Sequence, residues 1–332
     1  MIISRTPLRI SFFGGGTDYP AWYENYGGGA VLSATINKYC YISCRYLPPF
    51  FDHKSKIVWS KIELVKNVDE IEHPAVKEVL KHLGMHEQGM EIHYNADLPA
   101  RSGLGSSSAF TVGLLNALYA LTGKTRDKQQ LALEALYVEQ KRIGESVGSQ
   151  DQVAAAFGGL NKILFGGPEH VAVEPITVSM ERMRELERYC MLFFTGLSRN
   201  AAEIAAVQIK NTPNKQVELM KMHAMVGQAA DIVTGGHDLR EFGSLLHESW
   251  QLKRGLTSVI SNDHIDASYA KARHAGALGG KLLGAGGGGF ILVFADPEKH
   301  VEIRKAMAGL LEIPFRFDHS GSQIVYRGYH EV

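Results

Sequence analysis

The 332-residue sequence has only three cysteines and no excess of charge of either sign. Cys40, Cys44 and Cys190 show no CxxC spacing and cannot all pair, which favours a reducing compartment. Cys40 and Cys44 fit small strand hydrophobes better than metal ligands. Since 35 basic residues balance 35 acidic ones, we expect neither nucleic acid nor a membrane surface as a partner.

Long apolar runs and several common signatures are also missing. No apolar run approaches the roughly 20 residues that a membrane span needs, and the N-terminal stretch does not have the pattern of a secretory signal. We therefore expect a cytoplasmic protein. The Walker A motif GxxxxGK[ST] and the HRD and DFG motifs of protein kinases are absent. The sequence leaves both a monomer and a homo-oligomer open.

Glycine, by contrast, is abundant and clustered. The 35 glycines concentrate at 14–16, 27–29, 279–280 and 284–289. Such clusters mark places where the backbone takes unusual dihedrals or where a ligand comes close. A literal GxGxxG spans 284–289, but an expected helix precedes it and an apolar strand follows. A dinucleotide-binding fingerprint requires the reverse order, so this interpretation is excluded.

The hydrophobic pattern predicts strands and helices mixed in both halves of the chain. This is typical of two α+β domains with an active site between them, and we expect the domains at 1–185 and 186–332. The expected strands are 2–13, 30–46, 90–94, 160–165, 191–196, 289–294 and 323–327. The expected helices are 74–83, 106–122, 128–145, 199–210, 215–234, 238–251, 266–277 and 298–311.

The segment LPARSGLGSSSAF (98–110) has the pattern of a phosphate-binding turn that leads into a helix. Its glycines allow a ligand close to the backbone, and the free N–H groups and dipole of the following helix attract an anion. An ordinary serine N-cap after a glycine turn explains these residues equally well. The candidate phosphate-binding residues are Gly103, Leu104, Gly105, Ser106, Ser107 and Ser108.

Three segments together resemble the motifs of one family. PLRISFFGGGTDY (7–19), PARSGLGSSSAF (99–110) and KLLGAGGGGF (281–290) are similar, in this order and spacing, to the three motifs of the GHMP small-molecule kinases. The resemblance implies an N-terminal domain like ribosomal protein S5 domain 2 and a ferredoxin-like C-terminal domain. It also implies transfer of the γ-phosphoryl group of ATP to a hydroxyl, with Mg²⁺ as cofactor. For the segment 98–110, the resemblance favours a triphosphate site over an ordinary helix cap.

Glu139 is a candidate metal ligand. Leu131, Ala135 and Glu139 are spaced i, i+4, i+8, so the carboxylate lies on the same stripe as apolar residues. A buried carboxylate needs a partner, whereas a frayed helix end would leave Glu139 at the surface. The resemblance favours the first alternative, because related kinases keep a magnesium ligand here. We pair Glu139 with Ser107 first and Ser106 second.

Asp151 and Arg9 are the candidate catalytic residues. The resemblance aligns Asp151 with the catalytic aspartate of the galactokinase branch, and Arg9 with the basic residue beside it. Arg9 would hold Asp151 ionised and stabilise charge in the transition state. A purely structural ion pair between them is the alternative.

The first motif departs from the GEHTDY of galactokinases, since Gly15 and Gly16 replace its Glu and His. Together with FTGLSRNA (194–201) and WQLKRGL (250–256), this resembles kinases of the anomeric hydroxyl of D-glycero-α-D-manno-heptose 7-phosphate in GDP-heptose synthesis. An unphosphorylated sugar such as L-fucose is the alternative acceptor, and a catalytically silent sugar sensor is a third hypothesis. The candidate substrate-binding residues are Gly15, Gly16, Thr17, Asp18, Arg199, Gly286 and Gly287.

Arg199 is the first candidate for the phosphate that the sugar would already carry, because its fork matches phosphate geometry. Lys253 and Arg254 are weaker candidates, since adjacent charges on a helix usually face solvent.

Overall fold

The computed structural model of the protein describes residues 1–166, 171–196 and 201–328. The first part of the chain holds seven of the described strands: β1 (Ile2–Phe13), β2 (Gly29–Tyr46), β3 (Ser55–Val58), β4 (Ile62–Val65), β5 (Met90–Ala96), β6 (Leu160–Phe165) and β7 (Val171–Pro175). Its helices are α1 (Pro20–Tyr23), α2 (Pro74–His82), α3 (Ser106–Leu121), α4 (Lys128–Tyr137) and α5 (Gln150–Phe157), with a π-helical turn at Val138–Ile143.

The second part alternates helices and short strands. In chain order these are α6 (Met180–Arg188), β8 (Cys190–Phe194), α7 (Ala201–Asn211), α8 (Gln216–Thr234), α9 (Leu239–Arg254), α10 (Asp263–His274), β9 (Gly279–Leu282), β10 (Phe290–Phe294), α11 (His300–Ala306), β11 (Leu311–Glu312) and β12 (Gln323–Arg327). Short 3₁₀ turns lie at Val68–Glu70, Thr212–Asn214 and Pro297–Lys299. No helix in the described ranges has the length and apolar character of a membrane span.

The first sheet carries the N-terminal half of the site. Its order is β12-β1-β2-β5-β3-β4, and β6 pairs with β2 and β7. Helix α3 packs closely on β1, because Gly113 has no side chain: a Cβ there would lie 2.8 Å from Thr6 Oγ1. Ser4 Oγ also donates to the Gly113 carbonyl at 2.8 Å. This packing fixes the N-terminus of α3 beside β1.

The second sheet, in the order β11-β8-β10-β9, carries the other half. Helix α9 packs directly on β9, where a Cβ on Gly279 would lie 2.0 Å from the Gly243 carbonyl oxygen. Across the two sheets, the buried Lys281 of β9 donates to the Phe12 carbonyl of β1 at 2.9 Å. The C-terminal end of α9 and the loop after β9 therefore lie against the first sheet.

Most of the expected elements are confirmed, but not all. The predicted helix 128–145 ends as an α-helix at Tyr137 and continues as the π-helical turn, while α6 and the hairpin β3–β4 were not predicted. Strand β9 was missed as well, because two of its four residues are glycine. The domain boundary at 185/186 stays a prediction; α6 spans it, and β12 returns to the first sheet.

The glycine segment 284–289 joins β9 and β10 as a hairpin loop. A strand, not a helix, follows it, which confirms that it is no dinucleotide fingerprint. The loop touches the phosphate-binding turn directly: a Cβ on Gly284 would lie 2.6 Å from Gly103 Cα, and one on Gly289 would lie 2.2 Å from the Ser102 carbonyl oxygen. Only glycine allows the two loops to come this close.

Substitution of Gly284 by alanine tests this contact. Gly284 and Gly123 both have left-handed backbone conformations, with φ +74° and +72°. A Cβ on Gly284 would clash with Gly103, whereas a Cβ on Gly123 would meet nothing within 4 Å. Gly123→Ala should therefore cost only the backbone strain, about 1 kcal/mol, and Gly284→Ala about 3 kcal/mol or more, since overpacking adds to it. Denaturant unfolding of both variants measures the difference, and equal losses would contradict the contact.

Candidate active site

A cleft lined by residues from both parts of the chain lies between the two sheets. Its position is that in which the sequence predicts the active site. The residues that line it from the first part of the chain include Arg9, Ser11, Gly15, Gly16, Asp18, Arg101, Gly103, Gly105, Ser106, Ser107, Ser108, Gln150 and Asp151. From the second part come Ala201, Ala205, Gln208, Lys253, Gly284 and Ala285.

The N-terminus of α3 opens into this cleft without a side-chain cap. The N-cap is Gly105, in the left-handed conformation at φ +75°, and no side chain caps the helix. The serine N-cap that the sequence left open is therefore absent here. Leu104 is fully buried beneath the turn, and its carbonyl accepts from Arg9 N at 3.0 Å. An uncapped helix N-terminus in a cleft is suited to binding an anion.

Arg9 joins the turn to Asp151. Its Nε donates to Asp151 Oδ1 at 2.8 Å, and its Nη1 donates to the Gly103 carbonyl at 2.7 Å. Arg9 is 4% exposed, whereas the Asp151 side chain is 24% exposed. The carboxylate therefore faces the cleft while the guanidinium orients it from behind. Gly105 makes room for both, since a Cβ there would lie 3.3 Å from Arg9 and 3.4 Å from Asp151.

Glu139 lies in the π-helical turn and is 1% exposed, which confirms that its stripe faces the interior. Ser108 Oγ donates to its Oε2 at 2.9 Å, and Gln152 Nε2 donates to the same oxygen. Its Oε1 is buried and has no hydrogen-bond partner. Burial raises the pKa of this carboxyl to about 7, although the neighbouring Thr111, Ser108 and Gln152 side chains oppose the shift.

The two serines predicted to pair with Glu139 lie elsewhere. Ser107 is exposed on the cleft side, and Ser106 Oγ accepts from the Arg101 amide at 3.2 Å. Ser108, rather than either of them, contacts the carboxylate. A joint role of Ser107 and Glu139 at a metal stays a prediction.

Asp18 is 2% exposed and also lines the cleft. It accepts from the Gly16 amide at 2.9 Å and from Gln150 Nε2 at 2.8 Å. Burial raises the pKa of the Asp18 carboxyl, and the Gly16 amide partly offsets this. Gly15 and Gly16 line the cleft beside it, while Thr17 turns inward and donates to the Gly14 and Ala30 carbonyls.

Two further predicted substrate residues, Gly286 and Gly287, are not among the described residues that line the cleft. Gly286 and Gly287 pack on the backbone of Ile260; the Gly287 amide donates to the Ile260 carbonyl at 2.9 Å. Gly284 and Ala285 line the cleft in their place. Arg199 lies outside the described residues. The substrate-binding roles of Gly286, Gly287 and Arg199 stay predictions.

The structure also adds cleft residues that the sequence did not single out. Ser11 Oγ and Gln150 Oε1 are buried without a hydrogen-bond partner, and both residues line the cleft. Arg101 is the one non-glycine residue in the described ranges with positive φ, 59°. Lys253, expected at a solvated face, is 4% exposed, whereas its neighbour Arg254 pairs with Asp266 at the surface.

Lys253 Nζ donates to the Gly284 carbonyl at 2.6 Å. Burial lowers the pKa of its ammonium group to about 8, while the nearby Asp18 and Asp151 raise it. Phe242, Leu246 and Trp250 precede it on the buried side of α9, at spacings of four, four and three residues. The continuation of this apolar stripe is the signal that could have identified Lys253 from the sequence.

The cleft thus combines an uncapped helix end for an anion with an oriented carboxylate within reach of the same turn. Phosphoryl transfer needs such an arrangement, because its main demands are neutralised phosphates and a positioned acceptor oxygen.

Comparisons with known proteins agree with this geometry. Residues 58–159 match the GHMP kinases N terminal domain, and residues 228–311 match the GHMP kinases C terminal domain. The chain is 30% identical over 325 residues to the D-glycero-alpha-D-manno-heptose 7-phosphate kinase of Campylobacter jejuni, covering 92% of this chain and 93% of that protein.

Two further relatives extend the comparison. A bifunctional fucokinase/GDP-fucose pyrophosphorylase of Arabidopsis thaliana is 25% identical over 91% of this chain but only 30% of its own length. The crystal structure of a D-glycero-D-manno-heptose 1-phosphate kinase from Bacteroides thetaiotaomicron superposes with a TM-score of 0.80 at 26% identity, covering 99% of this chain and 100% of that one. The chain therefore belongs to the GHMP kinase family and is an ATP-dependent phosphotransferase.

Proposed function

We propose that the protein phosphorylates the anomeric hydroxyl of D-glycero-α-D-manno-heptose 7-phosphate with ATP, giving the 1,7-bisphosphate for GDP-heptose synthesis. The observation that carries this proposal is the near full-length similarity to the Campylobacter jejuni heptose 7-phosphate kinase. The cleft supports it, since an uncapped helix N-terminus and an oriented carboxylate lie next to each other in a cleft rich in polar groups.

On the nucleotide side, the triphosphate would bind at the N-terminus of α3. Gly103 and Gly105 leave the backbone bare, and Ser106, Ser107 and Ser108 supply N–H and hydroxyl donors. Arg9 lies directly behind this turn, where its charge stabilises negative charge that builds up on the transferred group.

The site also suits Mg²⁺. Glu139 has a buried oxygen without a partner, and a carboxyl whose pKa is about 7 in the absence of a cation. Hard oxygen ligands of this kind are those that Mg²⁺ prefers. Glu139 would hold the ion, with the hydroxyl of Ser107 or Ser108 beside it. A bound Mg²⁺ would neutralise phosphate charge.

On the acceptor side, Asp151 would receive a hydrogen bond from the anomeric hydroxyl and take up its proton or orient it. The ion pair with Arg9 fixes the carboxylate for this task. Asp18, Ser11 and Gln150 would bind the sugar hydroxyls, because Ser11 Oγ and Gln150 Oε1 are buried without a partner.

An unphosphorylated sugar such as L-fucose is the second candidate acceptor, favoured by the similarity to the Arabidopsis fucokinase. A silent sugar sensor is disfavoured, because Asp151, Arg9, Glu139 and the serines remain together around the cleft. Cytoplasmic location is supported by the three cysteines, which are all free thiols. Whether the protein forms homo-oligomers stays open to measurement.

A panel of acceptors tests the function. Heptose 7-phosphate, the unphosphorylated heptose, L-fucose and galactose are each incubated with ATP and Mg²⁺, and ADP release is followed. We expect the highest kcat/KM for heptose 7-phosphate, with NMR locating the new phosphate at the anomeric carbon. A higher kcat/KM for L-fucose, or phosphate on another oxygen, would contradict the proposal.

Asp151→Asn tests the catalytic carboxylate. Because the amide neither accepts a proton nor carries charge, kcat should fall about 100-fold or more, while nucleotide affinity stays within about twofold. The control is Asp266→Asn, which removes a similarly exposed partner of an arginine at the surface. Near-normal turnover of Asp151→Asn would remove Asp151 from the mechanism.

Glu139→Gln tests the magnesium site through proton release. Because burial raises the pKa of Glu139 to about 7, part of these carboxyls carry a proton at neutral pH, so binding of Mg²⁺-nucleotide should release more protons from the wild type than from Glu139→Gln. Calorimetry in two buffers of different ionisation enthalpy measures this, with nucleotide and EDTA as the control. Equal release from both proteins would contradict the assignment.

The raised pKa of Glu139 also makes the free energy of unfolding depend on pH. Since the folded pKa of Glu139 lies above the ordinary 4.5, the carboxyl stabilises the fold below about pH 4.5 and loses this contribution as the pH rises through 7. Without metal, the free energy of unfolding should therefore fall more steeply between pH 5 and 8 for the wild type than for Glu139→Gln. Parallel pH profiles would contradict the shift.

A further inference from the structure

Lys253 is the buried cation of the cleft that the proposed chemistry leaves unused. It is 4% exposed, yet no carboxylate of the described residues lies within salt-bridge distance of its Nζ. Its one hydrogen bond goes to the Gly284 carbonyl, so two of its three N–H donors have no protein acceptor in the described part of the chain. A buried ammonium group without acceptors destabilises the folded protein, unless a bound ligand accepts its hydrogen bonds.

The other buried cationic group among the described residues that line the cleft is already paired. Arg9 binds Asp151 and the Gly103 carbonyl, and Asp18 is satisfied by Gly16 and Gln150. Lys253 is therefore left with a positive charge and free donors, which suits an anionic group.

Lys253 borders the part of the cleft that the first glycine motif lines. A Cβ on Gly15 would lie 3.8 Å from Lys253 Nζ and 3.9 Å from Gln150 Nε2, so the bare backbone of Gly15 leaves open space between these two groups. Asp18 borders the same space through its hydrogen bond from Gln150. We assign this part of the cleft to the acceptor and the uncapped end of α3 to the nucleotide.

We propose that Lys253 determines acceptor specificity by binding an anionic group of the sugar, namely the phosphate that the acceptor carries before the reaction. This inference rests on the proposed function. The ammonium group would donate two charge-assisted hydrogen bonds to phosphate oxygens while keeping its bond to the Gly284 carbonyl. The pairing would also relieve the unfavourable burial of the charge.

The position of Lys253 follows from its helix. Close packing of Gly243 on Gly279 seats α9 against β9, and the buried stripe of Phe242, Leu246 and Trp250 then directs Lys253 inward. Arg254, one residue later, points to the surface and pairs with Asp266. The two neighbouring cations thus provide a matched pair for substitution.

The test compares heptose 7-phosphate with the same heptose lacking the phosphate. Lys253→Met should lower kcat/KM for the phosphorylated sugar about 10- to 100-fold, the range of a charge-assisted hydrogen bond, and leave kcat/KM for the free heptose and the KM for ATP within about twofold. Arg254→Met should change none of these values. Because Lys253→Met also removes the donor of the Gly284 carbonyl, its melting temperature should fall by only a few degrees, as for the loss of one hydrogen bond.

Lys253→Gln is the second variant, since its amide can still donate to the Gly284 carbonyl without a charge; it should show the same selective loss. An equal loss on both acceptors, or a rise in the KM for ATP, would overturn the inference and assign Lys253 to the transferred phosphoryl group. If the wild type itself prefers the free sugar, the proposed function fails as well. If it prefers the phosphorylated sugar and both variants keep that preference, only the role of Lys253 is overturned.

Discussion

The backbones of Gly103 and Gly284 meet at a distance that leaves no room for a side chain on either residue. This contact joins the phosphate-binding turn of the first sheet to the hairpin loop of the second. A buried cation stands on each side of it: Arg9 donates to the Gly103 carbonyl, and Lys253 donates to the Gly284 carbonyl. The positions of Arg9 and Lys253 relative to each other therefore depend on this contact.

The electrostatics of the cleft follow from burial. Desolvation raises the pKa of Asp18 and Glu139 and lowers that of Lys253, so each group is shifted toward its neutral form in the empty cleft. Charged substrates would reverse these shifts, since a cation stabilises the Glu139 carboxylate and an anion stabilises the Lys253 ammonium group. The burial of Glu139 and Lys253 destabilises the folded protein without substrates. Part of the binding free energy would come from the relief of this destabilisation.

The sequence predicted those features that depend on local pattern. The bare turn at Gly103 and Gly105 and the burial of Glu139 follow from glycine spacing and from a helical stripe, and both are confirmed. The same stripe argument applied to α9 would have found Lys253, but the adjacent Arg254 made the pair look like a solvated face.

Features that depend on the rotational phase of a helix, or on contacts between residues distant in sequence, could not be predicted from the sequence. Successive residues of a helix differ by about 100° in direction, so placing the N-cap at Gly105 decides that Ser108, and not Ser107, reaches Glu139. Likewise, Gly286 and Gly287 serve the packing on Ile260, which no local pattern reveals. Strand β9 was not predicted because it contains two glycines, Gly279, where α9 packs closely, and Gly280, where a Cβ would meet the backbone of β10.

The most direct test of the central claim is a crystal structure of the protein with Mg²⁺, a non-hydrolysable ATP analogue and heptose 7-phosphate. We expect the triphosphate at the N-terminus of α3 and the anomeric oxygen within hydrogen-bond distance of the Asp151 carboxylate. A triphosphate bound elsewhere, or an anomeric carbon turned away from Asp151, would contradict the account.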